Sequence, residues 1–301
     1  MTNLIFPTNL TGKLLFHTYI SYSDKSSQLH LYDFKTQELI QLSQDNWNVI
    51  DPMNAIFTPD GKWIIFMGVI NESWHLFMYE LGTGSKPVNL TEKLDGINYE
   101  DPKISRDGKC VYFKQDGGIY RAWLEYKNGK PELINPISIT KFNPSIEYSM
   151  PFPSSNEQFI YYVLGSGGGE LGIYRVNIAT GEEIVFDDEK DVGAYYPIVR
   201  KDGMVFYSKW KGEQNRFDQI KMKKLPEETA ISLGFNELKS DNSDPWPVDD
   251  SNYIFFCSTR EGNYQIYLGE ISTGQSVNLK MLGLNNHQEL NYLAPCYFQE
   301  T

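Results

Sequence analysis

The groups in this chain best suited to chemistry are carboxylates, aromatics and four histidines, and the first two recur together. Six short stretches, each ending one residue before a recurring proline, gather them: NWNVID at 46–51, GINYED at 96–101, SIEYSM at 145–150, DVGAYY at 191–196, KSDNSD at 239–244 and ELNYLA at 289–294. They hold Asp51, Glu100, Asp101, Glu147, Asp191, Asp244 and Glu289 beside Trp47, Tyr99, Tyr148, Tyr195, Tyr196 and Tyr292, with Trp246 just after the fifth proline. Aromatic faces flanked by carboxylates suit stacking on sugar rings, holding a cationic group, or docking a protein segment. Paired acids can also move protons without histidine. The same stretches admit a packing reading, in which the acids form turns and Tyr99, Tyr148 and Tyr292 fill space between neighbouring units.

Other chemistry finds less support. There is no G-x-S-x-G elbow, no H-E-x-x-H and no Cys/His cluster with zinc spacing. Cys110 and Cys257 sit in apolar runs (KCVYF, IFFCST), where a thiol serves as a small hydrophobe, and three cysteines do not make a disulfide framework. GSGGGE at 165–170 reads as a hairpin loop, since no helix follows to make a phosphate cradle. DDEKD at 187–191 lacks the ligand spacing of a calcium loop. No cofactor and no metal is expected. Of the histidines, His17 and His30 occupy ordinary strand positions and His75 sits beside one, leaving His287, in NNHQEL, near the six stretches.

The elements that must position these groups follow from an internal repeat. Pro52, Pro102, Pro151, Pro197, Pro245 and Pro295 recur 46 to 50 residues apart. After each of the first five comes a short strand and a turn: TPDGK at 58–62, SRDGK at 105–109, SSNEQ at 154–158, RKDGM at 200–204 and DDSN at 249–252. Such residues accept the positive φ of a tight hairpin. Second strands then align as LLFH, IIFM, VYFK, IYYV, VFYS and IFFC, and third strands as LHLY, LFMY, IYRA, IYRV, IKMK and IYLG. Helical periodicity is lacking throughout, so the spacing predicts four-stranded propeller blades. Residues 13–43 supply only the last three strands of a unit, and 293–298 only a first strand. Joined, they complete a sixth blade. The expected fold is all-β: one six-bladed β-propeller domain over 1–301, four antiparallel strands per blade, with one blade closed by the two terminal strands.

FTPDGKWIIF at 57–66 and STREGNYQIYLGEISTG at 258–274 resemble the PD40 repeats of TolB-like propellers. The resemblance runs through essentially the whole chain, departing at SSNEQ and after the third strand of blade 5 (KMKKLPEETA). It implies the fold but no single activity, because that family mixes translocation proteins, peptidase propeller domains and sugar lyases. The lyases hold a metal with several histidines, which one histidine near the funnel does not reproduce.

Net charge bounds the partners. At −12, with no run of Lys or Arg, the chain repels phosphate backbones, so nucleic acid is excluded. No apolar run approaches the roughly 18 residues of a membrane span. MTNLIFPTNLTG has no signal-peptide pattern, so a cytoplasmic location is expected unless a leader was removed. The sequence therefore reads as a non-catalytic binding propeller holding a protein segment or a saccharide in its funnel. The ligand-facing group is expected to be Trp47, Tyr99, Glu147, Tyr148, Tyr196, Trp246 and His287. The alternative is a carbohydrate-active enzyme, lyase or hydrolase, using funnel carboxylates and Tyr.

Overall fold

Each second strand carries a run of consecutive apolar or aromatic residues rather than an alternation, because both faces of a blade are covered by its neighbours. A computed structural model describes residues 6–7, 10–141, 143, 145–166, 171–189, 192–211 and 217–300. In it, residues 14–17, 64–67, 111–113, 160–163, 205–208 and 254–257 are all buried. Phe16, Phe66, Phe113, Tyr162 and Phe256 each stack on the aligned third-strand residue (His30, Phe77, Tyr120, Tyr174 and Tyr267) at centroid distances of 5.2 to 6.4 Å. The aligned columns are thus cross-strand pairs, the unit that stabilises a sheet.

The described residues form six four-stranded antiparallel sheets. Blade 1 begins with Asn291–Phe298, and blades 2 to 6 with Ile50–Phe57, Tyr99–Ile104, Ile146–Pro153, Val192–Val199 and Asn242–Pro247. Each of these first strands touches the first strand of the next blade, all the way round, so they surround a central channel. Asn291–Phe298 pairs antiparallel with Lys13–Tyr19, in register from Lys13 with Phe298 to Tyr19 with Asn291, which closes the ring as expected. Blade 5 does thin out after its third strand, its outer strand being the pair Ile231–Ser232. The SSNEQ turn keeps the geometry of its Asp-Gly counterparts. Asn156 accepts from Ser154 Oγ and Gln158 N (2.8 and 3.1 Å), as Asp107 does from Ser105 Oγ and Lys109 N (2.6 and 3.0 Å), while Glu157 takes the positive φ of Gly108.

The recurring prolines lie inside the first strands, not ahead of them. Asp101, Met150, Tyr196, Asp244 and Ala294, each directly before its proline, have φ of 50° to 57° and mark a β-bulge in the pairing with the second strand. A bulge leaves a backbone group out of the ladder, so a proline there forfeits no hydrogen bond. Blade 2 departs from the alignment: Asn54 (φ 52°) and Ala55 hold the places of the bulge residue and proline, and Pro52 lies three residues earlier beside a further positive-φ residue, Asp51. The six stretches taken as loops are therefore largely strand starts.

His17 fixes one junction. It is 2% exposed, and its Nδ1 accepts the N–H of Asn54 at 3.5 Å, as in blade 6 Asp244 accepts the corresponding N–H of Ala294. Burial, then the neighbouring His30, pull its pKa down to about 3. Burial, then His287, bring His30 to about 4. The folded chain keeps both rings neutral while the unfolded chain protonates them near pH 6.5, so their contribution is full above that pH and falls as pH drops toward 4.

Two outcomes follow. Deleting residues 291–301 strips blade 1 of its inner strand and bares Leu14 and Leu15; cooperative melting should be lost, and an unchanged Tm would contradict the closure. His17→Met, copying Met67, should reduce by about 1–2 kcal/mol the stability lost between roughly pH 7.5 and pH 5 in urea titrations.

Candidate functional site

The bulge sets which side chain reaches the axis. Two residues after the bulge position, every first strand presents one residue: Ile56, Lys103, Phe152, Ile198, Trp246 and Cys296. All six line a cavity of about 320 Å³ at the end of the channel where first strands turn into second strands. Turn residues including Thr58, Ser105, Arg106, Arg200 and Asp249 form its rim. Five of the six axial side chains are apolar or weakly polar, and the sixth is an amine.

Lys103 is only 7% exposed. Its Nζ donates to the carbonyl of Pro102 at 3.1 Å and stands 5.9 Å from the centre of the Tyr196 ring. Among the described residues no carboxylate oxygen lies within ion-pair distance of it. Burial lowers its pKa, against the pull of Asp101, Cys296 and Asp244. Those two carboxylates are engaged between blades. Asp101 accepts from Asn54 Nδ2 and from the bulge N–H of Met150 (3.3 and 3.1 Å), and Asp244 from the bulge N–H of Ala294 (3.0 Å). Trp246 donates Nε1–H to the carbonyl of Tyr297 at 3.1 Å and meets Phe152 edge to face at 6.2 Å. At the rim Arg106 pairs with Asp249 (3.2 Å) and Arg200 with Asp202 (2.7 Å).

Against known proteins, no family model and no curated protein matches the chain. Solved structures do. TolB from Acinetobacter baumannii superposes with a TM-score of 0.68 at 15% identity, over 95% of this chain and 66% of that one. A putative TolB from Agrobacterium tumefaciens gives 0.65 at 13%, over 97% and 100%. The chain shares with these TolB structures the six-bladed β-propeller fold. Oligogalacturonate lyase from Vibrio parahaemolyticus gives 0.56 at 16%, over 89% and 74%. Identities this low establish the fold alone.

The propeller distributes the seven expected ligand-facing residues unevenly. Trp246 lines the channel cavity, and the Tyr196 ring lies 5.9 Å from Lys103 Nζ. Trp47, Tyr99 and Tyr148 do not face an opening. Trp47 is buried against Phe66 and Tyr79 (5.5 and 4.7 Å), and Tyr148 lies edge-on to Tyr162 at 5.6 Å. The hydroxyl of Tyr99 takes the Gly96 N–H at 2.5 Å, and that of Tyr292 takes the His287 N–H at 3.2 Å. For the tyrosines the packing reading holds, because aromatics at strand starts fill the wedge between blades. Glu147 and His287 are exposed at the other rim. Glu147 shares Lys114 with Glu100 (2.6 and 3.1 Å), and His287 Nδ1 lies 3.6 Å from Glu289. Burial opposes the charge on Lys114, but the Glu147 and Glu100 carboxylates outweigh it and hold its pKa above the usual lysine value. Glu100 is pushed up by burial despite that ammonium. Asp51 accepts from Ser27 N at 3.0 Å. Asp191 and residues 167–170 and 190 of the two loop motifs lie outside the described residues. Among the described residues no group of three or more His, Cys, Asp or Glu is placed to hold a metal.

Sequence reasoning passed over Lys103, Phe152, Ile198 and Cys296. Their signal was the repeat itself: each directly follows an aligned proline, as Trp246 does.

The blade-to-blade acids should dominate stability, not the rim acids. Asp101→Ala removes two buried charge-assisted bonds and should cost about 3 kcal/mol in denaturant titrations. Glu147→Ala, at an exposed ion pair, should cost under about 1 kcal/mol.

Proposed function

We propose that this chain is a non-catalytic binding propeller whose site is the channel cavity behind the turns, and that it holds a segment of a partner protein there. The observation that carries this reading is the axial ring: Ile56, Phe152, Ile198, Trp246 and Cys296 with one amine, Lys103, enclosing about 320 Å³. That volume and lining match an apolar pocket with few orienting polar groups. A saccharide calls for open aromatic faces ringed by hydrogen-bonding side chains. Here Trp246 is turned edge to face with Phe152 and its N–H is committed to Tyr297. The alternative of a carbohydrate-active enzyme has less behind it, since Asp101 and Asp244, the acids nearest the amine, hold neighbouring strands together.

Peptide-display selection on the immobilised propeller, run beside an oligosaccharide array, tests the reading. Selected peptides should carry apolar or aromatic residues, and Trp246→Ala, checked for an unchanged melting profile, should weaken them by about 10- to 100-fold. Binding to oligosaccharides with no peptide enrichment would overturn it.

A further inference from the structure

The charge of the cavity runs against the charge of the chain. The protein carries −12, yet the charged residues lining this cavity are Lys103, Arg106 and Arg200 against one acid, Asp249. The three cations stand at two depths. Arg106 and Arg200 belong to the turns at the mouth, where each already has a carboxylate partner. Lys103 lies three residues further in along its strand, about 10 Å at the rise of a β-strand. Between these depths the wall is apolar, formed by Phe57, Ile104, Pro153, Val199 and Pro247, with Phe57 and Phe298 in ring contact at 5.4 Å.

We infer that the cavity selects an apolar ligand ending in a carboxylate, with the acid group seated on Lys103. This rests on the cavity being the binding site, as proposed above. Lys103 has three donors and gives one to a backbone carbonyl, leaving two that a carboxylate can take. An acid group left at the mouth would sit in water, where an ion pair contributes little. At Lys103 it meets an ammonium that folding has already removed from water, so only the ligand is desolvated on binding. The apolar body then fills the roughly 10 Å between the two depths. The volume, near the lower end for ligand pockets, favours a chain end over a loop, because an internal acidic residue would bring two backbone strands through the mouth. A free aryl or alkyl acid and the C-terminal residue of a protein share this chemistry.

Titration calorimetry on the full chain with two matched pairs separates the outcomes. One pair is 3-phenylpropionate and 3-phenylpropionamide; the other is an acetylated pentapeptide ending in Leu-Phe, as free acid and as amide. For at least one pair the acid should bind at least about tenfold more tightly than the amide, which is about 1.4 kcal/mol. Lys103→Met should erase that preference, and Lys103→Arg should restore it, a recovery that general damage to the channel would not give. If the peptide pair binds more tightly the source is a chain end; if the small pair does, it is a free acid. Equal binding of acid and amide, sensitive to Trp246→Ala, overturns the carboxylate inference and leaves the binding propeller standing. No binding by any of the four probes overturns the inference as well, and the peptide-display result then decides the parent reading alone.

Discussion

The ring depends on a backbone conformation that most residues avoid. Every first strand has a residue with a left-handed φ near 50°, and the strand bulges there. Two consequences follow at once. In blades 4, 1 and 2 the bulge turns an N–H away from its own ladder and toward the preceding blade, where Asp101, Asp244 and the ring of His17 accept it. It also rotates the strand so that the side chain two positions later points at the axis. The same distortion therefore joins blade to blade and lines the channel. A buried carboxylate that accepts a backbone N–H is well used, because the donor would otherwise be orphaned at a cost comparable to the bond itself.

Much of this architecture was legible in the chain. The second- and third-strand columns proved to be stacked pairs in register, down to His30 replacing a tyrosine and stacking on Phe16. Closure by the two ends was legible as well, since each end held the strands the other lacked. The bulge was not. Proline was visible as a period, but a proline period marks a place where an N–H is dispensable without saying whether that place is a loop or a distorted strand. Blade 2 shows the limit directly, for Pro52 sits three residues from the structural position that Ala55 occupies.

The site was legible only in part for the same reason. Placing aromatics and acids ahead of the prolines at a loop rim sent attention to the mouth where first strands begin. Side-chain direction along a bulged strand cannot be taken from alternation, and Tyr99 and Tyr148 turn sideways into the wedges while the Tyr196 ring lies near Lys103. Lys103 was hidden by its company: as one lysine among 27 basic residues it carried no signal until the repeat placed it in a ring with Phe152, Ile198 and Trp246.

The closure of blade 1 has a bearing on how the chain reaches this state. Asn291–Phe298, the inner partner of Lys13–Tyr19, is synthesised about 270 residues after it. At ordinary elongation rates of about 5–20 residues per second, Leu14, Leu15 and Phe16 wait on the order of tens of seconds for the strand that covers them. Blades 2 to 6 are each contiguous and need not wait. The nascent propeller is then an open arc with one apolar strand edge exposed at its start, and the last contact to form is the one with the greatest separation in sequence.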